Sequence, residues 1–329
     1  MDRFSRILVT GGAGFIGSHL VDSLMTRGFR VRVVDNMSNG SPRNVGCWLN
    51  HAGFELSQGD LKDPDVATKS VQGVNAVFHL SANPDVRIGE LDPSIHFREN
   101  LTVTFNLLEA IRKNETAKYI VFASSSTVYG EPNVFPTPEG YGPLLPISIY
   151  GASKLGCESL ISSYCHTFNL KATILRFANI VGKRATHGVI IDFIRKLSHN
   201  SSELKILGDG RQKKSYLHVT DLVNAFSIVL NNIDKNESPQ VYNVGSQDQI
   251  DVTRIAEIVC EEMSLHDVKH SLTGGVDGGR GWKGDARKML LSIDGMLGLG
   301  WKPRLGSEEA VRLACKELLN SMPGHLSKP

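Results

Sequence analysis

The 329-residue chain has little of what marks several large classes of protein. Its five cysteines, Cys47, Cys157, Cys165, Cys260 and Cys315, are an odd number with no CxxC pair. That argues against a disulfide framework or a zinc ribbon and for a reducing compartment, and no metal-ligating pattern stands out. No apolar run approaches the ~18 residues that span a bilayer, and the opening MDRFSRILVTGG enters a strand-like run at once, leaving no room for a signal peptide. Charge of one sign is also missing. Lys+Arg number 36 against 34 Asp+Glu, a net +2 with scattered signs, which speaks against nucleic acid as the main partner. There is no internal repeat and no low-complexity stretch. With 41% hydrophobic and 21% charged residues the chain is neither a disordered tail nor a coiled coil. These absences leave a soluble, cytoplasmic globular protein as the expectation, long enough for roughly two domains at ~150 residues each.

What the chain has in plenty is glycine, 32 residues. Three of them, Gly11, Gly14 and Gly17 in TGGAGFIGSHL, follow a strand-like run (Ile7 to Val9) and open a helix-like one (Phe15 to Arg27, ending at Gly28). In that context a GxxGxxG turn allows close approach of backbone to a pyrophosphate, whose charge then meets a helix N-terminus. Asp35 ends the next strand-like run, Val31 to Val34, where a carboxylate accepts both adenosine ribose hydroxyls and repels a 2′-phosphate. This favours NAD over NADP, with Arg43 nearby as the countervailing charge.

Further strands are expected at Val74 to Leu80 and Tyr119 to Ala123, with a helix over Asn100 to Lys113 between them. Strands alternating with helices imply right-handed crossovers and a parallel sheet covered on both faces. Beyond about Ala178 the pattern loosens into helix-like segments (Val189 to Leu197, Val219 to Leu230, Val252 to Met263), a strand at Leu204 to Leu207 and a glycine-dense loop over Thr273 to Gly284. The expected fold is α/β: a Rossmann-type doubly wound parallel sheet over 1–177, with a segment of about 216–245 returning to it. A smaller, mostly C-terminal α/β substrate-binding lobe spans 178–320, and a frayed tail runs over 321–329.

Tyr150 and Lys154 stand four apart at the start of a helix-like run, so phenol and ammonium share a face. An ammonium near a phenol favours the phenolate, which then serves as general base on a sugar hydroxyl. ASSSTVYG, residues 123–130, directly follows a strand-like run, at the end of a sheet where ligands bind, and offers serine hydroxyls to the same substrate oxygen. A serine-rich turn capping its own backbone is the competing reading of that segment.

Together TGGAGFIGSHL, VVDN, GDL, HLSA, SSSTVYG and YGASK resemble the extended short-chain dehydrogenase/reductase superfamily, and within it the NAD-dependent nucleotide-sugar 4-epimerases, from Ile7 to about Pro303. The resemblance implies that Ser125, Tyr150 and Lys154 are catalytic. It implies cofactor contacts from Gly11, Gly14, Phe15, Ile16 and Gly17 in the turn, and from Asp35, Asn36, Ser38, Gly40, Asp60 and Leu61 around the adenosine. Leu80, Ser81 and Ala82 pass the pyrophosphate and ribose, Asn100 lies beneath the cofactor, and Ser124 and Phe177 complete the set. For a UDP-sugar substrate it implies Val86 and Arg87 near the hexose, Ser125, Thr127 and Tyr150 at the reacting carbon, and Asn179, Val189, Lys214 and Arg280 around the diphosphate. Arg280, in GGRGWKGD, resembles the arginine of the family's RPGD-like segment, and a guanidinium forks well onto phosphate. His218 reads as a packed, structural histidine.

The chain departs from the family in places. Lys214 and Ser215 stand where many members have Arg-Asp, and Asn83 and Pro84 after HLSA differ from the bacterial epimerase pattern. Related 4,6-dehydratases carry an Asp-Glu pair after the catalytic Thr/Ser, and UDP-glucuronate decarboxylases a Glu at the second position; here these are Ser126 and Thr127. The expectation is a UDP-glucose/UDP-galactose 4-epimerase. A 4-epimerase of UDP-glucuronate or UDP-N-acetylglucosamine stays open, as does an idle NAD-sensing protein on the same fold. The helices near Asn100 to Lys113 and Tyr150 to Thr167 resemble those that pair relatives into homodimers.

Overall fold

The computed structural model describes residues 5–114, 116–233 and 238–322. Continuous apolar runs such as ILVT and YIVFA cannot face water on either side, and they form the centre of a parallel sheet. Its strands are β1 (Arg6–Thr10), β2 (Arg30–Asp35), β3 (Phe54–Gln58), β4 (Ala76–His79), β5 (Tyr119–Ser125) and β6 (Lys171–Phe177). A seventh strand, Gln240–Val244, arrives from much later in the chain. The order is Gln240–Val244, β6, β5, β4, β1, β2, β3, with every pair parallel. The order reverses between β1 and β4, which opens a crevice at the carboxyl ends of the strands.

Both faces of the sheet are covered. On one, Leu20, Val21 and Leu24 of the Phe15–Thr26 helix pack with Phe226 and Val229 of the Val219–Asn232 helix. The Phe226 ring meets Phe78 and Phe177 edge-on at 5.5 and 5.8 Å. On the other face, Leu107, Leu108 and Ile111 pack with Ile161 of the long Ile149–Phe168 helix. A separate apolar cluster, with Ile194, Phe193, Ile258 and Val311, holds together the helices Val189–His199, Val252–Glu262 and Ser307–Ser321. Short strand pairs accompany it: Glu203–Ile206 with Lys269–Leu272, and Lys213–Lys214 between Ile250–Asp251 and Lys288–Met289. The fold is thus α/β, a Rossmann-like sheet with smaller C-terminal sheets.

Three details differ from the pattern in the sequence. β3 (FELSQ) alternates polar and apolar residues because it is an edge strand, half-exposed, and it carries no apolar run to announce it. The helix expected from Asn100 begins earlier, as a π-helical turn over Phe97–Thr102 that leads into Val103–Lys113. The frayed tail expected over 321–329 starts at the last residue of the Ser307–Ser321 helix and, from 323 on, lies outside the described residues. Among the described residues no helix is long and apolar enough to cross a membrane.

Candidate active site

A cleft of about 480 Å³ opens along the carboxyl ends of β1, β2, β4, β5 and β6 and is closed from the far side by the C-terminal segments. Its first wall is the glycine turn. Gly11 sits at φ +68°, and a Cβ there would lie 3.0 Å from the Ser81 amide nitrogen; a Cβ on Gly17 would lie 2.1 Å from the Gly11 carbonyl oxygen. The turn therefore packs backbone on backbone. Gly14 caps the Phe15–Thr26 helix without offering a side chain, so no side-chain hydrogen bond covers its N-terminus. The first-turn amides and the positive end of the helix dipole are directed at the place where an anion would lie. Gly11, Gly14, Phe15, Ile16 and Gly17 all line the cleft.

Asp35, at the end of β2, lines the same cleft with Asn36, Ser38, Gly40, Asp60 and Leu61. Its carboxylate accepts hydrogen bonds from the Ala13 and Met37 amides at 3.0 and 2.8 Å, tying the glycine turn to β2. The Asn36 side-chain amide donates to Asp60 at 3.2 Å. Arg43 is exposed and is not part of the cleft wall. Leu80, Ser81 and Ala82 form the opposite rim, and one hydroxyl fixes it: Thr10 Oγ1 accepts from the Leu80 and Ser81 amides, both at 3.2 Å. Thr10 is itself bonded to His79 Nδ1 at 2.8 Å, and burial pushes that imidazole down to about 3, with the Lys154 charge adding to the effect. A glycine cradle, an uncapped helix N-terminus and a strand-end carboxylate make a donor set that fits a dinucleotide.

The reacting end of the cleft is built by β5 and the Ile149–Phe168 helix. Ser148 caps that helix by accepting from the Gly151 amide at 3.0 Å, which sets Tyr150 and Lys154 on its cleft-facing side. Ser125 stands beside the Tyr150 phenol and favours its ionised form. Ser125 Oγ accepts from the Thr127 amide (3.2 Å) and the Thr127 hydroxyl (3.0 Å), which leaves its own hydrogen free to donate. Lys154 is buried, donates to the Ala123 carbonyl at 2.8 Å, and has its ammonium 5.9 Å from the Tyr150 ring centre.

Burial pushes the Tyr150 phenol up to about 12, against the pull of Ser125, and pushes Lys154 down to about 8. Within the protein alone desolvation therefore outweighs the lysine–phenol attraction that the four-residue spacing suggests. Ser124 lines the cleft, but its hydroxyl turns away and donates to Glu158 at 2.5 Å; Phe177 lines the cleft as well.

The substrate candidates divide. Val86, Thr127, Asn179, Val189 and Lys214 line the cleft. Lys214 is held by Asp285 at 2.5 Å, and the Asn179 side-chain amide donates to the Ser215 carbonyl at 3.2 Å. Arg87 and Arg280, and the cofactor candidate Asn100, are not in its wall. Arg87 leans on Asp85 at 3.6 Å. Asn100 is a strut, accepting from the Asn83 amide at 2.9 Å and donating to Ser153 at 2.8 Å, so it ties the β4 loop to the Ile149–Phe168 helix. Arg280 is taken up by a bidentate pair with Glu131 at 2.6 and 2.7 Å and by the Asp285 carbonyl at 2.7 Å. From the same loop it is Trp282, unremarked in the sequence, that reaches the cleft. A bulky aromatic among glycines was the available signal. His218 bonds Thr220 at 2.8 Å and Glu317 at 3.2 Å, linking two helices. Among the described residues no group of three or more His, Cys, Asp or Glu is placed to hold a metal ion.

Comparison with known proteins agrees with this geometry. The family model "NAD dependent epimerase/dehydratase family" matches residues 7–245. A solved UDP-galactose 4-epimerase superposes with TM-score 0.84 at 41% identity, covering 96% of this chain and 99% of that one. A putative UDP-glucose 4-epimerase of Methanocaldococcus jannaschii is 32% identical over 96% of this chain and 99% of its own length. UDP-glucuronic acid decarboxylase 1 of Xenopus tropicalis is 31% identical over 93% of this chain and 70% of its own length. The chain belongs to the NAD dependent epimerase/dehydratase family, an extended short-chain dehydrogenase/reductase whose cofactor is NAD and whose substrates are nucleotide-sugars.

Proposed function

We propose that the chain is a 4-epimerase that interconverts UDP-glucose and UDP-galactose. The observation that carries this reading is the convergence of Ser125, Tyr150 and Lys154 on one cleft wall, with hydroxyls and no carboxylate at the next two positions, Ser126 and Thr127. Bound NAD would supply the hydride acceptor and donor for C4. Tyr150 takes the proton of the C4 hydroxyl, Ser125 hydrogen-bonds the same oxygen, and Lys154 supports the negative charge that develops on the phenol. After the 4-keto sugar turns in the cleft, Tyr150 returns the proton and the opposite face receives the hydride. The sugar is held loosely enough to turn, so the binding energy comes from the nucleotide and its diphosphate.

A dehydratase or decarboxylase has to expel water from C6 or carry a carboxylate-bearing sugar, and hydroxyls at Ser126 and Thr127 give no acid for the first task. The test is incubation of NAD-loaded protein with UDP-glucose, UDP-N-acetylglucosamine and UDP-glucuronate in turn, with chromatographic separation of the C4 epimers. Conversion of UDP-glucose fastest supports the reading. Release of CO₂ from UDP-glucuronate, or conversion of none of the three, overturns it.

A homodimer is part of the same proposal: Phe97 and Phe105 are 62% and 45% exposed along one helical segment, and Phe168, 46% exposed, ends the neighbouring helix. Large apolar side chains exposed on two adjacent helices fit an association face. A Phe97→Glu/Phe105→Glu variant that still elutes at the wild-type mass would refute it. Five free cysteines, four of them buried, fit the cytoplasm as the place of action.

A further inference from the structure

Asp22 lies midway along the Phe15–Thr26 helix, outside the cleft wall, and its carboxylate is shared between two segments distant in the chain. One oxygen accepts from the Trp48 indole N–H at 2.7 Å and the other from the Arg184 guanidinium at 2.8 Å. Each segment runs on from a stretch of the cleft wall. Trp48 closes the tight turn Pro42–Trp48, which follows the wall residues Asn36, Ser38 and Gly40 beside Asp35. Arg184 belongs to the segment after the Asn179–Val181 strand, where Gly182, Thr186 and His187 line the cleft.

Each segment is also tied to its own half of the chain. The Ser41 amide and the Asn44 side-chain amide donate to the Ala13 carbonyl of the glycine turn, at 3.0 and 2.9 Å. The Lys183 amide donates to Glu317, on the Ser307–Ser321 helix, at 2.8 Å. Arg184 has φ +67°, a left-handed backbone that is unfavourable for a residue with a side chain and persists where surrounding contacts impose it. The Arg184 and Asp22 side chains are 23% and 32% exposed, so their ion pair adds little to global stability. Its consequence is instead that two stretches of cleft wall share one anchor. Order gained by one then lowers the cost of ordering the other.

We propose that Asp22 is a positioning residue that couples cofactor binding to substrate binding. Order that NAD imposes on residues 36–44 passes through Trp48, Asp22 and Arg184 to residues 182–188, so the loaded protein meets its nucleotide-sugar with that wall already set. By linkage the nucleotide-sugar strengthens NAD binding by the same factor. The inference rests on the nucleotide-sugar part of the functional reading, whichever sugar is turned over.

The test compares the full chain with two variants. Asp22→Asn keeps an acceptor for Trp48 and loses the charge that holds Arg184; Trp48→Phe breaks the other arm. UDP is titrated calorimetrically into each protein with and without saturating NAD. In the wild type NAD should tighten UDP about tenfold, and in both variants that gain should fall below about twofold, with UDP affinity of the NAD-free proteins unchanged. A merely structural role would weaken UDP alike with and without NAD and leave the gain intact, which overturns the inference. So does a wild type in which NAD and UDP bind independently. Hydrogen exchange of residues 182–188 is the second readout. NAD alone should slow it about tenfold in the wild type and leave it unchanged in Asp22→Asn. Equal slowing in the two overturns the inference. A wild type that binds NAD but no UDP removes the functional reading, and the exchange measurement then decides this inference by itself.

Discussion

Glu158 and Arg176 form a buried ion pair at 2.7 Å, each side chain only 6% exposed. Glu158 stands one helical turn beyond Lys154, and Arg176 lies on β6, so the pair pins the Ile149–Phe168 helix to the sheet. Ser124 donates to Glu158, and Arg176 also donates to the Tyr129 hydroxyl at 2.9 Å. Replacing one partner leaves the other charge buried and unmatched. Arg176→Leu should cost about 3–5 kcal/mol in urea unfolding, and Glu158→Leu/Arg176→Leu should cost less than that single change. A double variant as unstable as the sum of the two singles would show that the charges do not compensate each other.

Tyr150→Phe should lower epimerisation by roughly 10²–10⁴-fold, the usual contribution of a placed proton-transfer group. Ser125→Ala, which removes one hydrogen bond to the reacting oxygen, should lower it by about 10–100-fold. Both should retain NAD and melt near the wild-type temperature. Sugar turnover at the wild-type rate in Tyr150→Phe would sink the assignment of the base.

The burial of Lys154 ties stability to pH with a definite sign. Burial holds its ammonium at about 8, against 10.5 for a free lysine, so the unfolded chain binds this proton more tightly than the folded one. The penalty is full below pH 8, fades as the pH climbs to 10.5, and is gone above that. Lys154→Met should therefore be inactive and more stable at pH 7, by on the order of 2 kcal/mol. Melting temperatures across pH 7–11 check this: the gap between variant and wild type should close at the alkaline end, and a gap that does not change with pH contradicts it.

Arg280 separates the family pattern from the geometry. If the residue clamps a diphosphate, Arg280→Ala weakens UDP by at least about tenfold. Paired as it is with Glu131 outside the cleft wall, it should instead leave UDP affinity within about threefold and make the Thr273 to Gly284 segment easier to cleave in limited proteolysis.

The buried parallel strands were legible because they have to be apolar on both faces: ILVT and YIVFA admit few other readings. The glycine turn was legible because φ above zero and backbone-on-backbone packing both demand glycine, and the Tyr150–Lys154 pair because helical spacing is fixed. β3 was not, since an edge strand with polar alternation resembles a loop. That Trp282 rather than Arg280 lines the cleft was hidden for a different reason. Which side chain of a glycine-dense loop faces a cleft depends on partners far away in sequence, here Glu131 and Glu90, and local pattern carries no trace of them. The phenol's pKa was likewise out of reach, because burial is a property of the assembled site.

The strand Gln240–Val244 completes the sheet beside β6, although more than sixty residues of other structure intervene between the two. Ending the chain after Phe177 would strip β6 of that neighbour and lay bare a row of unpaired backbone groups on an apolar strand, a template for aggregation. The same cut would remove the Val219–Asn232 helix, whose Phe226 covers Phe78 and Phe177. The two halves of the polypeptide are therefore not interchangeable modules. Transplanting the cofactor half, splitting the gene or permuting its ends has to carry this returning segment along, and recombination between relatives should be tolerated at points that keep it with its sheet.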